Sequence, residues 1–208
     1  VTEEKPVVYV VDDDPSVLKA LERLLRSAGH DVRTFASALE FLECPLTDAA
    51  GCLVLDIKMP KLNGLELQDR LADKGISIPI IFITGHGTVP ASVKAFKAGA
   101  MDFIQKPFED SDLLGAVSRG IEKNRRMRQE QKLIKTLHTR LDTLTPRERE
   151  VFGLVASGML NKQVAFDLGV TEKTIKVHRA RVMQKMGAHS LADLVRFAEK
   201  LNIHSSTN

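Results

Sequence analysis

Cys52-Leu53-Val54-Leu55-Asp56-Ile57-Lys58-Met59-Pro60 is the stretch on which the fold turns. An apolar run of strand length ends in one carboxylate, and an Asn63-Gly64 turn follows Pro60. A continuous apolar run suits a strand covered on both faces, as in a parallel sheet. The aspartate at its end has two readings. It caps a turn, or it is a chemical site whose partners lie elsewhere in the chain.

The flanking sequence repeats the same unit. Pro6-Val7-Val8-Tyr9-Val10-Val11 is a second apolar, β-branched run, ending in Asp12-Asp13-Asp14-Pro15-Ser16. Val17, Leu18, Leu21, Leu24 and Leu25 then recur at helical spacing up to Gly29. Val32–Phe35 reads as a short strand and Ala36–Leu42 as a helix. Leu65, Leu67 and Leu71 mark a helix after the Asn63-Gly64 turn. Pro79–Thr84 is a fourth strand, 89–98 a helix, Met101–Gln105 a fifth strand, and a long helix starts near Asp110. Strand and helix alternate five times, which predicts an α/β unit: a (βα)5 fold on a parallel five-stranded sheet, with helices on both faces.

In such sheets sites form at the carboxyl ends of the strands. Those ends carry Asp12 and Asp13, Asp56, Thr84 and Lys106. Clustered carboxylates repel one another, and a hard divalent cation such as Mg²⁺, which takes oxygen ligands, removes the conflict. Asp13 and Asp56 are the expected direct ligands, with Asp12 direct or through water. Asp56 then attacks phosphorus as a carboxylate nucleophile. Lys106 and the Thr84 hydroxyl receive phosphoryl oxygens. Pro107 fixes the backbone beside Lys106, for which a cis bond is one route.

The 208 residues allow one large domain or two small ones. With 43% hydrophobic and 27% charged residues the composition is that of a soluble protein. No apolar run approaches the roughly 20 residues that span a bilayer. The polar start Val1–Pro6 has no secretory h-region. Cys44 and Cys52 are too far apart for a CxxC site and read as reduced, packed thiols. Together these place the expected location in the cytoplasm, without a membrane partner. Charge divides the chain. Residues 1–118 hold eighteen acidic against twelve basic side chains; 119–141 hold two against eight, and 143–208 six against ten. An acidic half joined to a basic half predicts two domains with different partners.

Between them, from Ile121 to Thr145, there is no Pro or Gly. That segment reads as one long helix or a helix with a frayed middle. The expected division is 1–122, a helical linker over 123–142, and an all-α domain over 143–208. Thr145-Pro146-Arg147-Glu148 is a helix start with a capping box. Asn161–Val170 reads as a short helix and tight turn. Thr171–Thr174 opens a helix to about Met186, and Ser190 opens the last. A helix–turn–helix followed by a basic helix suits a major groove. Ile175, Val182 and Met186 are expected on the packed side. Lys173, Lys176, Val177, Ala180 and Arg181 are expected toward DNA, with Thr174, Arg179 and Lys185 on phosphates. Asn161 and Lys162 sit at a helix N-terminus. An RNA-binding or protein-docking output is the alternative.

VVDDDP, LDIKMPxLNG, ITGHG and GAMDFIQKPF resemble the receiver domain of two-component response regulators. LTPREREVFGLVASGMLNKQVAFDLGVTEKTIKVHRARVMQKMGAHSLADLV resembles the LuxR-type helix–turn–helix module, and the whole chain resembles the FixJ-type subgroup. The resemblance implies that Asp56 accepts phosphate from a sensor histidine kinase. It further implies that Asp12, Asp13, Asp56 and the Lys58 carbonyl surround Mg²⁺, and that Phe103 is the switch aromatic. Lys58 and His86 occupy positions that tune phosphate lifetime in the family. Lys176 and Val177 match base-facing positions, whereas Ala180 departs from relatives carrying Lys; a methyl contact to thymine could substitute. The implied function is a transcriptional regulator that dimerises on phosphorylation, binds promoter DNA and engages RNA polymerase, most simply as an activator. An enzyme of the haloacid-dehalogenase type needs a second Asp two residues after the nucleophile. Lys58 stands there, so no enzymatic turnover is expected.

Overall fold

The computed structural model describes residues 5–85, 95 and 97–203. The chain falls into two compact units, Val1–Arg128 and Gln129–Asn208.

In the first unit five strands form one sheet: β1 (Val7–Val11), β2 (Asp31–Phe35), β3 (Gly51–Asp56), β4 (Ile80–Thr84) and β5 (Asp102–Gln105). Their spatial order is β2-β1-β3-β4-β5, and every neighbouring pair is parallel. Parallel neighbours need crossovers. These include α1 (Pro15–Ser27), α2 (Ala38–Glu43) and α3 (Gly64–Asp73), while α4 (Asp110–Asp142) follows β5. The helix expected over 89–98 lies mostly outside the described residues, as does His86. Strand order reverses between β1 and β3, so their carboxyl ends flank the crevice where such sheets bind ligands.

β1, β3 and β4 are buried at every residue. Their side chains alternate between two cores, as a period of two requires. Tyr9, Val11, Leu53, Leu55 and Phe82 pack with Phe35 and Phe41 on one face. Val8, Val10, Val54, Ile81 and Ile83 pack with Leu25, Leu113 and Val117 on the other. Asn124, buried on α4, ties that helix to the sheet. Its Oδ1 accepts from the Gly51 N–H at 3.0 Å and its Nδ2 donates to the Ser77 carbonyl at 3.4 Å. One turn later Arg128 donates to the Asp48 and Thr47 carbonyls, both at 3.0 Å.

α4 runs unbroken for 33 residues, with no frayed middle. Its beginning belongs to the first core through Leu113, Val117 and Ile121. Its end belongs to the second unit, where Leu137 is fully buried. That unit adds α5 (Pro146–Ala156), α6 (Asn161–Asp167), α7 (Glu172–Met186) and α8 (Leu191–Lys200). Val151, Phe152, Val164, Ile175, Val182, Met186 and Leu194 form its core. Thr145 and Glu148 close the capping box that the sequence predicts, and Ser190 with Asp193 closes another.

One glycine sets the loop after Asp56. Gly64, first residue of α3, donates its N–H to the Ile57 carbonyl at 2.9 Å. A Cβ placed there would lie 2.3 Å from the Asp56 carbonyl oxygen, so only glycine lets α3 start this close to the end of β3. Gly64→Ala should lower the stability of the first unit by about 1–3 kcal/mol through that forced displacement, measured by urea unfolding. An unchanged midpoint would show that the loop yields freely.

Candidate functional site

The parallel sheet delivers four polar side chains to one edge. Asp12 follows β1, Asp56 ends β3, Thr84 ends β4 and Lys106 follows β5. Asp12, Asp56 and Thr84 are all buried. The Lys106 ammonium sits between the two aspartates, donating to Asp12 Oδ2 at 2.8 Å and Asp56 Oδ1 at 3.2 Å. The other oxygen of each aspartate is held by backbone. Asp56 Oδ2 accepts from the Lys58 N–H at 2.7 Å, and Asp12 Oδ1 from the Asp14 N–H at 2.9 Å. Lys106 is aimed by its own backbone, whose N–H donates to the Thr84 carbonyl at 2.8 Å. The Lys106–Pro107 bond is cis.

The predicted residues do not converge equally. Asp13 is exposed. Asp14 turns the other way and caps α1 through the Ser16 N–H at 2.8 Å. Phe103 is half-buried, packed against the core on the side of Phe82 and Ala100. Lys58 projects into solvent while its N–H serves Asp56. Among the described residues no three acidic, His or Cys side chains are drawn together as a metal cluster; Lys106 supplies the cation between the two buried carboxylates.

The electrostatics follow from that arrangement. Burial pushes the Asp56 carboxyl above its usual range; the Lys106 ammonium pulls against this, and the Asp12 charge adds to it. Burial alone would lower Lys106, but its hydrogen bond to Asp12 and the two carboxylate charges lift it above its usual value. Asp56 is thus an anion held at a cost, facing a permanent cation. Such a carboxylate favours a partner that brings an electrophile and further positive charge.

In the second unit α7 presents a polar face. Ile175, Val182 and Met186 are buried, while Lys173, Lys176, Val177, Ala180 and Arg181 are exposed. Lys176 pairs with Glu172 one turn back at 3.3 Å, on the open surface. Val177 is an apolar side chain 47% exposed in the middle of that face, a placement suited to a base methyl group. Thr174 donates its N–H to the Thr171 cap at 3.2 Å. Lys162 is exposed at the start of α6.

Two of the residues expected on phosphates have internal partners. Arg179 donates to Asn161 Oδ1 at 3.1 Å, joining the two helices of the helix–turn–helix. The Lys185 ammonium is 2.6 Å from Glu148 Oε2 and 3.0 Å from the Thr143 carbonyl. Glu148 was legible as a capping residue, but its burial was not. A carboxylate 2% exposed needs a cation, and Lys185 is the one that reaches it. Arg140 also escaped the sequence reading. It donates to the Met186 carbonyl at 2.8 Å, from a helix that the sequence marks only by its excess of basic residues and its lack of Pro and Gly.

Comparison with known proteins gives these two sites a common setting. The family model of response regulator receiver domains matches residues 8–118. That of the LuxR family of bacterial regulatory proteins matches residues 142–198. Nodulation protein W of Bradyrhizobium diazoefficiens is 48% identical, over 97% of this chain and 89% of its own. The transcriptional regulatory protein FixJ of Rhizobium meliloti is 44% identical, over 92% of this chain and 94% of its own. Among solved structures, the response regulator StyR superposes with a TM-score of 0.82 at 48% identity, covering 95% of this chain and all of that one. Full-length FixJ from B. japonicum gives 0.58 at 38% identity, covering 97% and 98%.

Glu148 and Asp56 should respond oppositely to titration. Glu148 is held at about 2, below 4.5, first by the Lys185 hydrogen bond and then by the Thr145 N–H. Its depressed value adds stability that is complete above about pH 4.5 and is lost as pH falls toward about 2. Glu148→Gln should flatten that acid limb in thermal unfolding scans; an unchanged pH profile would show that the pair contributes nothing. Asp56 is raised, so its contribution is lost as pH rises through its folded value. Asp56→Asn should therefore stabilise the first unit at neutral pH without divalent cation, by roughly 1 kcal/mol. A lower melting temperature for that variant would mean that the Lys106 pair outweighs burial.

Proposed function

The chain belongs to the response regulators that join a receiver domain to a LuxR-type DNA-binding domain, a phosphorylation-dependent class of transcriptional regulator, and on that premise we propose how its residues carry the activity. Asp56 is the phosphoacceptor. The observation that carries this reading is the Lys106 ammonium bridging the buried Asp12 and Asp56 at the switch-point edge of the sheet.

One Asp56 carboxylate oxygen attacks the phosphorus of a phosphohistidine on a sensor kinase. An acyl phosphate forms, the P–N bond breaks, and the imidazole leaves with the bonding pair. Lys106 stays as the cation on a phosphoryl oxygen, and the Thr84 hydroxyl donates to another. The edge fits Mg²⁺ because its donors are oxygens alone and two of them are mutually repelling carboxylates. Asp12, Asp13, Asp56 and the Lys58 carbonyl would hold it. When bound, it supplies charge neutralisation for the incoming phosphoryl group.

Thr84 drawn to the phosphate leaves room for Phe103 to turn inward from its half-buried position, which reshapes the surface around β5. Two receivers then pair, and two α7 helices reach adjacent half-sites in the major groove. Lys173, Lys176, Val177, Ala180 and Arg181 meet base edges and nearby backbone. Thr174 and Lys162 hold phosphates. Asn161, Arg179 and Lys185 support them from within the unit. The output is promoter binding in the cytoplasm with recruitment of RNA polymerase, as an activator and without enzymatic turnover. No helix among the described residues is long and apolar enough to cross a membrane. The LuxR-family match favours DNA over RNA or protein as the output target.

Binding to promoter duplex with and without acetyl phosphate and Mg²⁺ tests the scheme. Wild type should tighten on phosphorylation and Asp56→Asn should not. Lys176→Ala should weaken the preferred duplex by about 1–3 kcal/mol if it reads a base. Equal affinity in both phosphorylation states would overturn the switch.

A further inference from the structure

The carboxyl end of α7 is held by the end of the preceding long helix. The last carbonyls of any helix lack intrahelical donors. Here the Ala188 N–H returns to the Met183 carbonyl at 2.9 Å and the Gly187 N–H to the Gln184 carbonyl at 3.2 Å. The Met186 carbonyl takes a side chain instead, Arg140 Nη1 at 2.8 Å. A guanidinium at a helix carboxyl end also meets the negative end of the helix dipole.

Gly187 serves this contact twice. Its φ of +66° is left-handed and ends the helix. A Cβ there would lie 2.5 Å from Arg140 Nη1 and 2.9 Å from Cζ, so the guanidinium occupies the space a side chain would need. A second cation crosses in the opposite direction: Lys185, on α7, donates to the Thr143 carbonyl at 3.0 Å. Leu137, one turn before Arg140, is fully buried, and Leu141 packs against the same core. The last turns of α4 are therefore fixed within this unit, and they in turn fix the end of α7.

The geometry points to Arg140 as a positioning residue for sequence readout, a role that rests on the proposed DNA contacts of α7. Arg140 caps α7 at Met186, whereas the proposed contacts start at Lys173 and the base-facing pair is Lys176 and Val177. It sets the seating of that helix in the groove from the far end, without meeting nucleic acid itself. Specific contacts need that seating to well under an ångström, while charge attraction to phosphates tolerates a shifted helix. Loss of Arg140 should therefore cost discrimination more than affinity.

The experiment uses the full chain, treated with acetyl phosphate and Mg²⁺. Two probes are compared: the duplex that wild type enriches from a randomised pool, and a scrambled duplex of equal length. Arg140→Ala should lower the ratio of the two affinities by about fivefold to tenfold, the scale of one net hydrogen bond. The slope of log affinity against log salt should not change. Gly187→Ala should reproduce the loss, and Arg140→Lys, which keeps one cationic donor, should recover part of it.

A slope reduced by about 0.9 in Arg140→Ala would show that Arg140 neutralises a phosphate directly and would overturn the positioning role. So would an unchanged ratio with wild-type binding intact. If Arg140→Ala does not fold by circular dichroism, Arg140→Lys decides: a partial loss of discrimination supports the role and none refutes it. If wild type itself enriches no duplex, the DNA-binding reading fails first and this inference with it.

Discussion

A lysine ammonium between two buried carboxylates is the constraint around which the first unit is built. A parallel sheet places all its strand ends carrying carbonyls, and the loops that follow them, on one edge. Asp12 and Asp56 arrive there from adjacent strands, β1 and β3, because the register pairs Val11 with Leu55. Neither can be buried alone as an anion. Lys106 comes from the other side of the sheet's centre, two strands away from β3, and its ammonium reaches both. The arrangement needs β3 central, β1 and β4 beside it, and β5 beyond. Topology, loop path and charge are therefore one requirement.

The second unit solves a similar problem with the opposite result. Glu148 and Asp56 both have little exposed surface, yet the carboxyl of Glu148 is lowered where that of Asp56 is raised. Burial is the leading influence at Asp56, whereas hydrogen bonds lead at Glu148. Glu148 receives Lys185 at 2.6 Å and the Thr145 N–H at 2.9 Å, on a single oxygen. Asp56 must share its lysine with Asp12 and is repelled by it. Where hydrogen bonds outweigh burial, the carboxyl is lowered and acts as a structural anchor. Where burial outweighs them, as at Asp56, the carboxyl is raised.

Much of this was legible in the sequence because the relevant signals are local or periodic. The apolar runs at 7–11, 51–56 and 80–84 announce strands covered on both faces. Thr145-Pro146-Arg147-Glu148 announces its capping box residue by residue. The strand-end residues Asp12, Asp56, Thr84 and Lys106 needed only one added rule, that parallel sheets gather their carboxyl ends. What stayed hidden depends on packing between distant segments. Lys185 looks like any basic residue on a groove-facing helix until Glu148, 37 positions earlier, is found beneath it. Arg140 sits in a segment that is rich in basic residues, and the fold shows that the Met186 carbonyl lies within its reach. Asp14 looks equivalent to Asp12 and Asp13 in sequence, and the start of α1 takes it as a cap.

The burial of Leu137 separates two meanings of the word domain. Similarity to the LuxR family covers residues 142–198, the part that evolution reads as a transferable module. The folding unit is larger at both ends. Leu137 is fully enclosed before that segment begins, and Leu201 is buried after it ends. A fragment cut where the resemblance starts would keep every exposed side chain of α7 and lose a cornerstone of its own interior. The boundary of the folding unit therefore lies inside the long helix, upstream of the point at which the family likeness begins.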